Sequence, residues 1–244
     1  IDQDSVIPTD YAEWEALIEA LVRHCNVEMK YGIEYWEVGN EVDIGEMGGC
    51  PYRFRPADYI EYYRRTAAAI RRADPGAKVG GPALANYTHP IGDALIEFCG
   101  RGGAPLDFFS WHLYGNDPQR QRASIRETRA KLARWPTLAS TETIIDEWNI
   151  QLLGREAYPG FQAAHLLEST LGFLDEGLSR SAYYHIRDYF VAPEDFGWMT
   201  PEGYKFMADW WNVQVQNSGL FDNQGQRRPA WYSFRMLRDI QGLR

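Results

Sequence analysis

The sequence is poor in cysteine, with only Cys25, Cys50 and Cys99 among its 244 residues. The number is odd, the spacings are wide, and none belongs to a C-x-x-C pair or lies near a plausible set of histidines. Neither a disulfide framework nor a zinc site is therefore indicated. Cys99 shares the apolar face of a predicted helix and is expected in the core, whereas Cys50 lies in a glycine-rich loop that could leave it exposed.

Long hydrophobic runs and an excess of basic charge are also missing. No apolar segment approaches the roughly 18 to 20 residues of a membrane span. The net charge of -9 argues against a nucleic-acid partner, because phosphate binding needs a basic face. The one basic stretch, residues 120–134, is interpreted as a solvated helix face. No signal peptide is visible at the N-terminus. The cellular compartment is not determined by the sequence, and a secreted or periplasmic location is favoured over a cytoplasmic one.

Aromatic side chains are abundant, with 9 Trp, 15 Tyr and 11 Phe. They serve a core and also stack on the flat faces of sugars or bases.

Helical patterns alternate with five apolar strand patterns, at residues 33–40, 78–84, 107–115, 143–150 and 181–190. Strands spaced by helices at intervals of roughly 30 to 45 residues imply parallel strands with crossover helices.

Loop lengths favour one parallel architecture over another. The segments after the strands are long and rich in aromatic residues, Gly and Pro, whereas most of those after the helices are short. A barrel with its active site at the C-terminal face requires this asymmetry. An open doubly wound sheet is disfavoured, because "VGGPAL" lacks G-x-G-x-x-G and a P-loop lysine. The predicted fold is α/β, a single domain over residues 1–244 of the (β/α)8 TIM-barrel type.

Two predicted strands end in glutamate, Glu41 in "WEVGNEVD" and Glu147 in "IIDEWNI". Strand C-termini are the natural catalytic positions of a barrel. Two carboxylates in one cleft suit glycoside hydrolysis, in which one protonates the departing oxygen and the other attacks the anomeric carbon or activates a water. Strands three apart in a barrel face one another across its mouth, so we expect the two to meet. Taken singly, each glutamate is more readily interpreted as a solvated residue at a strand end; taken together, the catalytic interpretation is favoured.

These two segments resemble the acid/base and nucleophile strands of the clan A retaining glycoside hydrolases. Together with "DPGAKVGGPAL", "LDFFSWHLYG" and "SGLFDNQGQRRPAWYSFRML", they are most similar to family 39, which contains β-xylosidases and α-L-iduronidases. "GNE" and "DEWN" are also similar to family 51 arabinofuranosidases. The resemblance implies that Glu41 is the general acid/base on strand four and Glu147 the nucleophile on strand seven. It also implies that Asn40 holds the 2-hydroxyl of the sugar.

Further candidates lie at the ends of other predicted strands. His112 and Tyr114 sit between the two glutamate strands, where either could hydrogen-bond the nucleophile or the sugar. The remaining candidate substrate-binding residues are His185, Asp188, Trp148 and Trp198. Packing is the favoured interpretation of Trp148, and a sugar platform that of Trp198. Family 39 usually has Trp at the position of Tyr184. No strand carries H-x-H, so neither a metal nor a cofactor is expected.

The other acids around these glutamates are given structural or solvent roles. Glu37 shares a strand face with Glu41, so we expect it to point into the barrel and to pair with a basic residue. Asp43 and Glu46 lie in the following loop and are interpreted as solvated. Asp146 points to the opposite face from Glu147 and is interpreted as a hydrogen-bonding brace.

The resemblance aligns the start of the chain with the helix before strand four, so strands one to three of the barrel are absent. We expect a partial piece of a longer protein; the alternatives are a second chain that completes the barrel and a self-sufficient open sheet. The predicted function is retaining hydrolysis of a xyloside-, arabinoside- or uronide-type glycoside or oligosaccharide. The alternative is a catalytically incomplete fragment or carbohydrate-binding remnant.

Overall fold

The computed structural model describes residues 7–48, 50, 53–150, 159–213 and 218–240. The strands of this part of the chain are β1 (Tyr35–Glu37), β2 (Lys78–Leu84), β3 (Phe108–Tyr114), β4 (Glu142–Asn149) and β5 (Arg180–Tyr183). Its α-helices are α1 (Tyr11–Val22), α2 (Pro56–Ala73), α3 (Pro90–Gly100), α4 (Pro118–Leu132), α5 (Pro159–Asp175), α6 (Pro201–Ala208) and α7 (Pro229–Ile240). Short π-helical or 3-10 turns cover Arg23–Glu28, Gly45–Gly48, Pro136–Leu138, Pro193–Phe196 and Asp209–Val213.

The five strands form one sheet in the order β1-β2-β3-β4-β5, which is also their order along the chain. β1 pairs in parallel with β2, with Tyr35 opposite Lys78. β2 pairs in parallel with β3, with Gly80 opposite Phe108. Sequential parallel strands joined by helices are the (β/α) repeat of a TIM barrel. The predicted fold class, a partial barrel of this type, is confirmed.

The chain is divided into two compact units. The first comprises Ile1–Trp111 and Thr128–Ile144. Its helix α1 begins where the Asp10 side chain accepts a hydrogen bond from Ala12 N at 2.7 Å. Proline stands at the first position of α2, where its missing N–H would have no partner. The core contains large side chains with less than 2% exposure: Tyr59, Tyr63, Leu84, Ile91, Leu95, Phe108, Phe109 and Trp111.

The second unit comprises His112–Glu127 and Ile145–Arg244. Trp148 of β4 is 1% exposed and meets Phe173 of α5 and Tyr183 of β5 edge-on, with ring centroids 4.9 and 5.2 Å away. A second apolar cluster is built on Val191, Met207 and Trp211. This cluster includes residues of α6, a helix that the sequence analysis did not predict.

The strand and helix patterns are otherwise confirmed, with shorter ends. β1 and β5 stop at Glu37 and Tyr183, before the predicted ends at residues 40 and 190. One of the long segments predicted after the strands, residues 149–161, lies mostly outside the described residues. Cys99 is in the core as predicted, and Cys50 is also buried. None of the described helices is long and apolar enough to cross a membrane.

Candidate functional site

Glu41 lies beyond the end of β1, where the backbone continues beside β2. Val38 N donates to Gly80 O at 2.9 Å, and Glu41 N donates to Ala83 O at 2.8 Å. Glu41 has a φ of 46°, in the left-handed region that residues with a Cβ seldom occupy. Its side chain is buried. Such conformations persist where the surroundings determine them and cluster at active sites.

Three acidic residues near Glu41 differ in solvent exposure from what the sequence predicted. Glu37 is exposed rather than buried, because β1 stands first in the order of the described strands and none of them covers its outer edge. Asp43 and Glu46 are each only 3% exposed rather than solvated. The Asp43 carboxylate is buried because backbone N–H groups of the segment after β2 bind it. Asn40 is exposed, so its predicted contact with the sugar hydroxyl stays a prediction.

Glu147, on β4, is contacted from β3 within the second unit. The Tyr114 hydroxyl donates a hydrogen bond to Glu147 Oε1. His112 is 1% exposed, and its Nδ1 lies 3.6 Å from Glu147 Oε2 while its Nε2 lies 3.3 Å from Asp146 Oδ2. His112 and Tyr114 are two residues apart on one strand and so share a face. Tyr114 and His112 thus both lie beside Glu147, and Asp146 lies beside His112; the predicted roles of these residues stay predictions.

An aromatic group lies next to Tyr114 in the same unit. Tyr184 meets the Tyr114 ring edge-on with centroids 6.3 Å apart, and its hydroxyl is 2.8 Å from that of Tyr189. Tyr189 stacks on Trp211 at 5.2 Å. His185 stacks on Tyr184 at 4.6 Å. The sequence pointed to neither Tyr189 nor Trp211: Tyr189 lay within the predicted strand at residues 181–190, and Trp211 follows the unpredicted helix α6. Only the aromatic richness of this region hints at them.

Electrostatic effects in this group follow from burial. Burial raises the pKa of Tyr189, the bond from Tyr184 lowers it, and the Glu147 carboxylate raises it further. For His185, burial lowers the pKa and the neighbouring Asp188 opposes that shift. A buried neutral imidazole is the favoured state of His185, because taking the cation out of water is unfavourable.

Three of the other predicted substrate-binding residues occupy different environments. Trp148 is in the core between Phe173 and Tyr183, so it packs there, as favoured from the sequence, and is not available to a sugar. Asp188 is also buried, and it binds Arg228 at 2.5 Å and Gly219 N at 2.7 Å. Each of its oxygens thus binds a protein group, and its predicted contact with the sugar stays a prediction. Trp198 is 46% exposed, and its role as a sugar platform stays a prediction.

A cavity of about 370 Å³ opens beside Tyr114. It is lined by Tyr114, Asn116, Asp117 and Arg120, among others, from the end of β3 and the start of α4. Its size falls in the range of roughly 300 to 1,000 Å³ typical of small-molecule sites. The expectation that no metal or cofactor takes part stays a prediction.

The sheet order and the strand direction define an α/β protein of the TIM-barrel type. The family model for Glycosyl hydrolases family 39 matches residues 2–152, and the chain belongs to this family. The family 39 resemblance is therefore confirmed.

Relatives in this family are β-xylosidases and related enzymes. The chain is 27% identical to a β-xylosidase of Caldicellulosiruptor saccharolyticus over 97% of its length and 48% of the relative. It is 34% identical to a β-xylosidase of Geobacillus stearothermophilus over 44% of the chain and 21% of the relative. The chain spans about half the length, or less, of these curated relatives.

A solved structure supports the fold. The crystal structure of a monomeric β-xylosidase from Caulobacter crescentus CB15 superposes with a TM-score of 0.74 at 24% identity. The match covers 96% of this chain and 48% of that one. At this identity the superposition shows a shared fold.

Proposed function

We propose that the protein hydrolyses a glycosidic bond with retention of configuration, with Glu147 as the nucleophile and Glu41 as the general acid/base. The observation that carries the proposal is the hydrogen bond from Tyr114 to Glu147, at the C-terminal end of a parallel strand. A xyloside-type substrate is favoured, because the two relatives described above are β-xylosidases. Arabinosides and uronides are the other predicted substrate types.

In the first half-reaction, one carboxylate oxygen of Glu147 attacks the anomeric carbon while the bond to the leaving oxygen breaks. Glu41 donates a proton to that oxygen, so the leaving group departs as a neutral alcohol or sugar. In the second half-reaction, Glu41 takes a proton from water, the water oxygen bonds to the anomeric carbon, and Glu147 is released. This double displacement requires carboxyl groups about 5 to 5.5 Å apart.

Tyr114 and His112 support Glu147 in this scheme. The Tyr114 hydroxyl holds Oε1, so the second oxygen can be aimed at the sugar. A hydrogen bond to a charged group is worth about 1.5 to 3 kcal/mol, enough to restrict the rotamers of an active carboxylate. The sugar is expected in the neighbourhood of the aromatic group of Tyr184, Tyr189 and Trp211, whose faces suit stacking on a pyranose ring.

Substitution of each glutamate tests the assignment. With a phenyl xyloside, whose leaving oxygen needs protonation, Glu147→Gln and Glu41→Gln are each expected to lower kcat/KM by a factor on the order of 10² to 10⁴ or more. Glu37→Gln is the matched control, since this exposed glutamate precedes Glu41 on the same segment and is expected to retain activity. Wild-type-like rates in either active-site variant would overturn the proposal.

Azide distinguishes the two roles. In Glu41→Gly, azide is expected to accelerate turnover of an activated aryl xyloside and to give a glycosyl azide with the substrate's configuration. In Glu147→Gly, azide is expected to give the opposite configuration, because it takes the place of the nucleophile. The same configuration from both variants would contradict the assignment. Sugar binding by the wild-type chain with no hydrolysis would support the alternative, a carbohydrate-binding remnant.

A further inference from the structure

The segment after Glu41 folds back onto it. Ile44 N and Gly45 N both donate to the Glu41 carbonyl oxygen at 3.0 Å, and a 3-10 turn at Gly45–Gly48 follows. We propose that Asp43 and Gly48 are positioning residues for the proton donor: Asp43 fixes the backbone that carries Glu41, and Gly48 makes the space that its carboxyl group occupies. The inference rests on the proposed role of Glu41 as the acid/base.

Asp43 joins this segment to the end of β2. Its Oδ1 accepts a hydrogen bond from Ala85 N at 3.0 Å, and its Oδ2 accepts one from Asn86 N at 2.9 Å. Arg53 Nε also donates to the Asp43 carbonyl oxygen at 3.2 Å. Only a carboxylate offers an acceptor to both of these backbone donors, because an amide in its place would turn an NH2 group toward one of them. Asp43 therefore fixes the chain two residues after Glu41 to the neighbouring strand.

Gly48 leaves no room for a side chain. A Cβ on Gly48 would lie 1.8 Å from Glu41 Oε2 and 2.7 Å from Glu41 Cδ. Carbon atoms do not approach so closely, so any residue other than glycine must displace the carboxyl group of Glu41 or the turn itself. A misplacement of about 1 Å can lower a rate by about 10²-fold. Gly48 thus determines where the Glu41 carboxyl group can lie, because the absence of a side chain on Gly48 leaves the space that this group occupies.

A displaced proton donor has a kinetic signature. An aryl glycoside with a poor leaving group, such as phenol, needs protonation of its leaving oxygen. One with a good leaving group, such as 2,4-dinitrophenol, departs as the anion. The ratio of kcat/KM for the two substrates reports on the proton donor and does not depend on the fraction of enzyme that is folded. It therefore separates positioning from a general loss of structure.

The test measures this ratio for Asp43→Asn and Gly48→Ala in the full-length protein. Both are expected to lower kcat/KM for the phenyl glycoside by about 10²-fold and to change it little for the dinitrophenyl glycoside. Asp107→Asn and Gly76→Ala are matched controls in the same unit. Asp107 accepts a backbone hydrogen bond from Val79 N at 2.7 Å before β3 begins, and a Cβ on Gly76 would meet its nearest neighbour at 3.4 Å.

The outcomes are distinct. An unchanged ratio in Asp43→Asn and Gly48→Ala, with a shifted ratio in Glu41→Gln, would overturn the positioning roles and leave the proposed function intact. An unchanged ratio in Glu41→Gln itself would overturn the assignment of Glu41. A shifted ratio in both positioning variants, with normal ratios in the controls, would support the inference. If Gly48→Ala fails to fold, Asp43→Asn alone decides.

Discussion

The Tyr114 hydroxyl donates a hydrogen bond to Oε1 of Glu147, and the two residues stand on β3 and β4. Two residues earlier on β3, His112 brings its Nδ1 to 3.6 Å from Oε2 of the same carboxylate. The two-residue period of a strand places both side chains on one face. β3 therefore supplies both oxygens of Glu147 with a neighbour, and loss of the Tyr114 hydroxyl should affect catalysis more than folding.

Tyr114→Phe removes only the hydroxyl that binds Glu147. A hydrogen bond to a charged group is worth about 1.5 to 3 kcal/mol, so kcat/KM for an aryl xyloside is expected to fall by about 10- to 150-fold. Thermal stability should change little, since the ring remains. Tyr232→Phe, at a residue 49% exposed, is the control and should be neutral. Unchanged kinetics in Tyr114→Phe would mean that the hydroxyl does not act on the nucleophile.

The ion pair between Asp188 and Arg228 is expected to stabilise the second unit. Their side chains are only 4% and 14% exposed, and the N···O distance is 2.5 Å. Asp188→Ala leaves the guanidinium without this partner and is expected to lower the free energy of unfolding by about 3 to 5 kcal/mol. Urea denaturation measures the change.

The matched control for this pair lies on the surface. Arg238 and Asp239 are paired at 2.7 Å with side chains 69% and 55% exposed. Because solvent screens such pairs, Asp239→Ala is expected to cost no more than about 1 kcal/mol. Equal effects of Asp188→Ala and Asp239→Ala would contradict a structural role for Asp188.

Buried histidines make stability depend on pH. Burial lowers the pKa of both His165 and His185 from the usual value near 6.5. The unfolded chain therefore binds protons that the folded chain does not, and protonation favours unfolding. Their contribution is fully present above the unfolded pKa and is lost as pH falls through about 6.5 toward the lowered folded values. We expect the free energy of unfolding to decrease over this window.

Urea denaturation between pH 5 and 8 measures this slope. His165→Gln is expected to flatten it, because the variant has no imidazole to protonate in the unfolded state. His24→Gln is the control, since that side chain is 57% exposed. Equal slopes in wild type and His165→Gln would contradict the prediction.

Carboxylates contribute over a separate pH range. Hydrogen bonds from Arg64 and then Arg65 lower the pKa of Glu61 to about 2, so the contribution of Glu61 to stability is lost only at more acid pH.

Local pattern was enough to predict most of the fold. β2 was predicted at residues 78–84 and is observed over that range, since its apolar residues and its boundaries are both local features. Asp43 shows the limit, because its backbone donors are about 40 residues away in the sequence and only the fold brings them together. The space at Gly48 is likewise set by a contact that sequence spacing does not reveal. α6 was not predicted from the sequence.

Trp148 and Trp198, the two tryptophans among the candidate sugar contacts, are expected to differ in how strongly their substitution lowers stability. Trp148 is 1% exposed between Phe173 and Tyr183, so Trp148→Ala leaves a large cavity and is expected to cost about 3 to 5 kcal/mol of stability. Trp198 is 46% exposed, so Trp198→Ala should change stability by no more than about 0.5 kcal/mol.

Sugar affinity should show the reverse order. If Trp198 stacks on the substrate, Trp198→Ala loses about 0.5 to 1.5 kcal/mol of aromatic contact, which raises KM for a xylo-oligosaccharide about two- to tenfold. Trp198→Tyr keeps a flat ring and should restore most of that affinity. Calorimetric binding to the Glu147→Gln variant, which does not turn the sugar over, measures the same difference without catalysis. An unchanged affinity in Trp198→Ala would remove this residue from the site, because its exposed ring would then make no contact with the sugar.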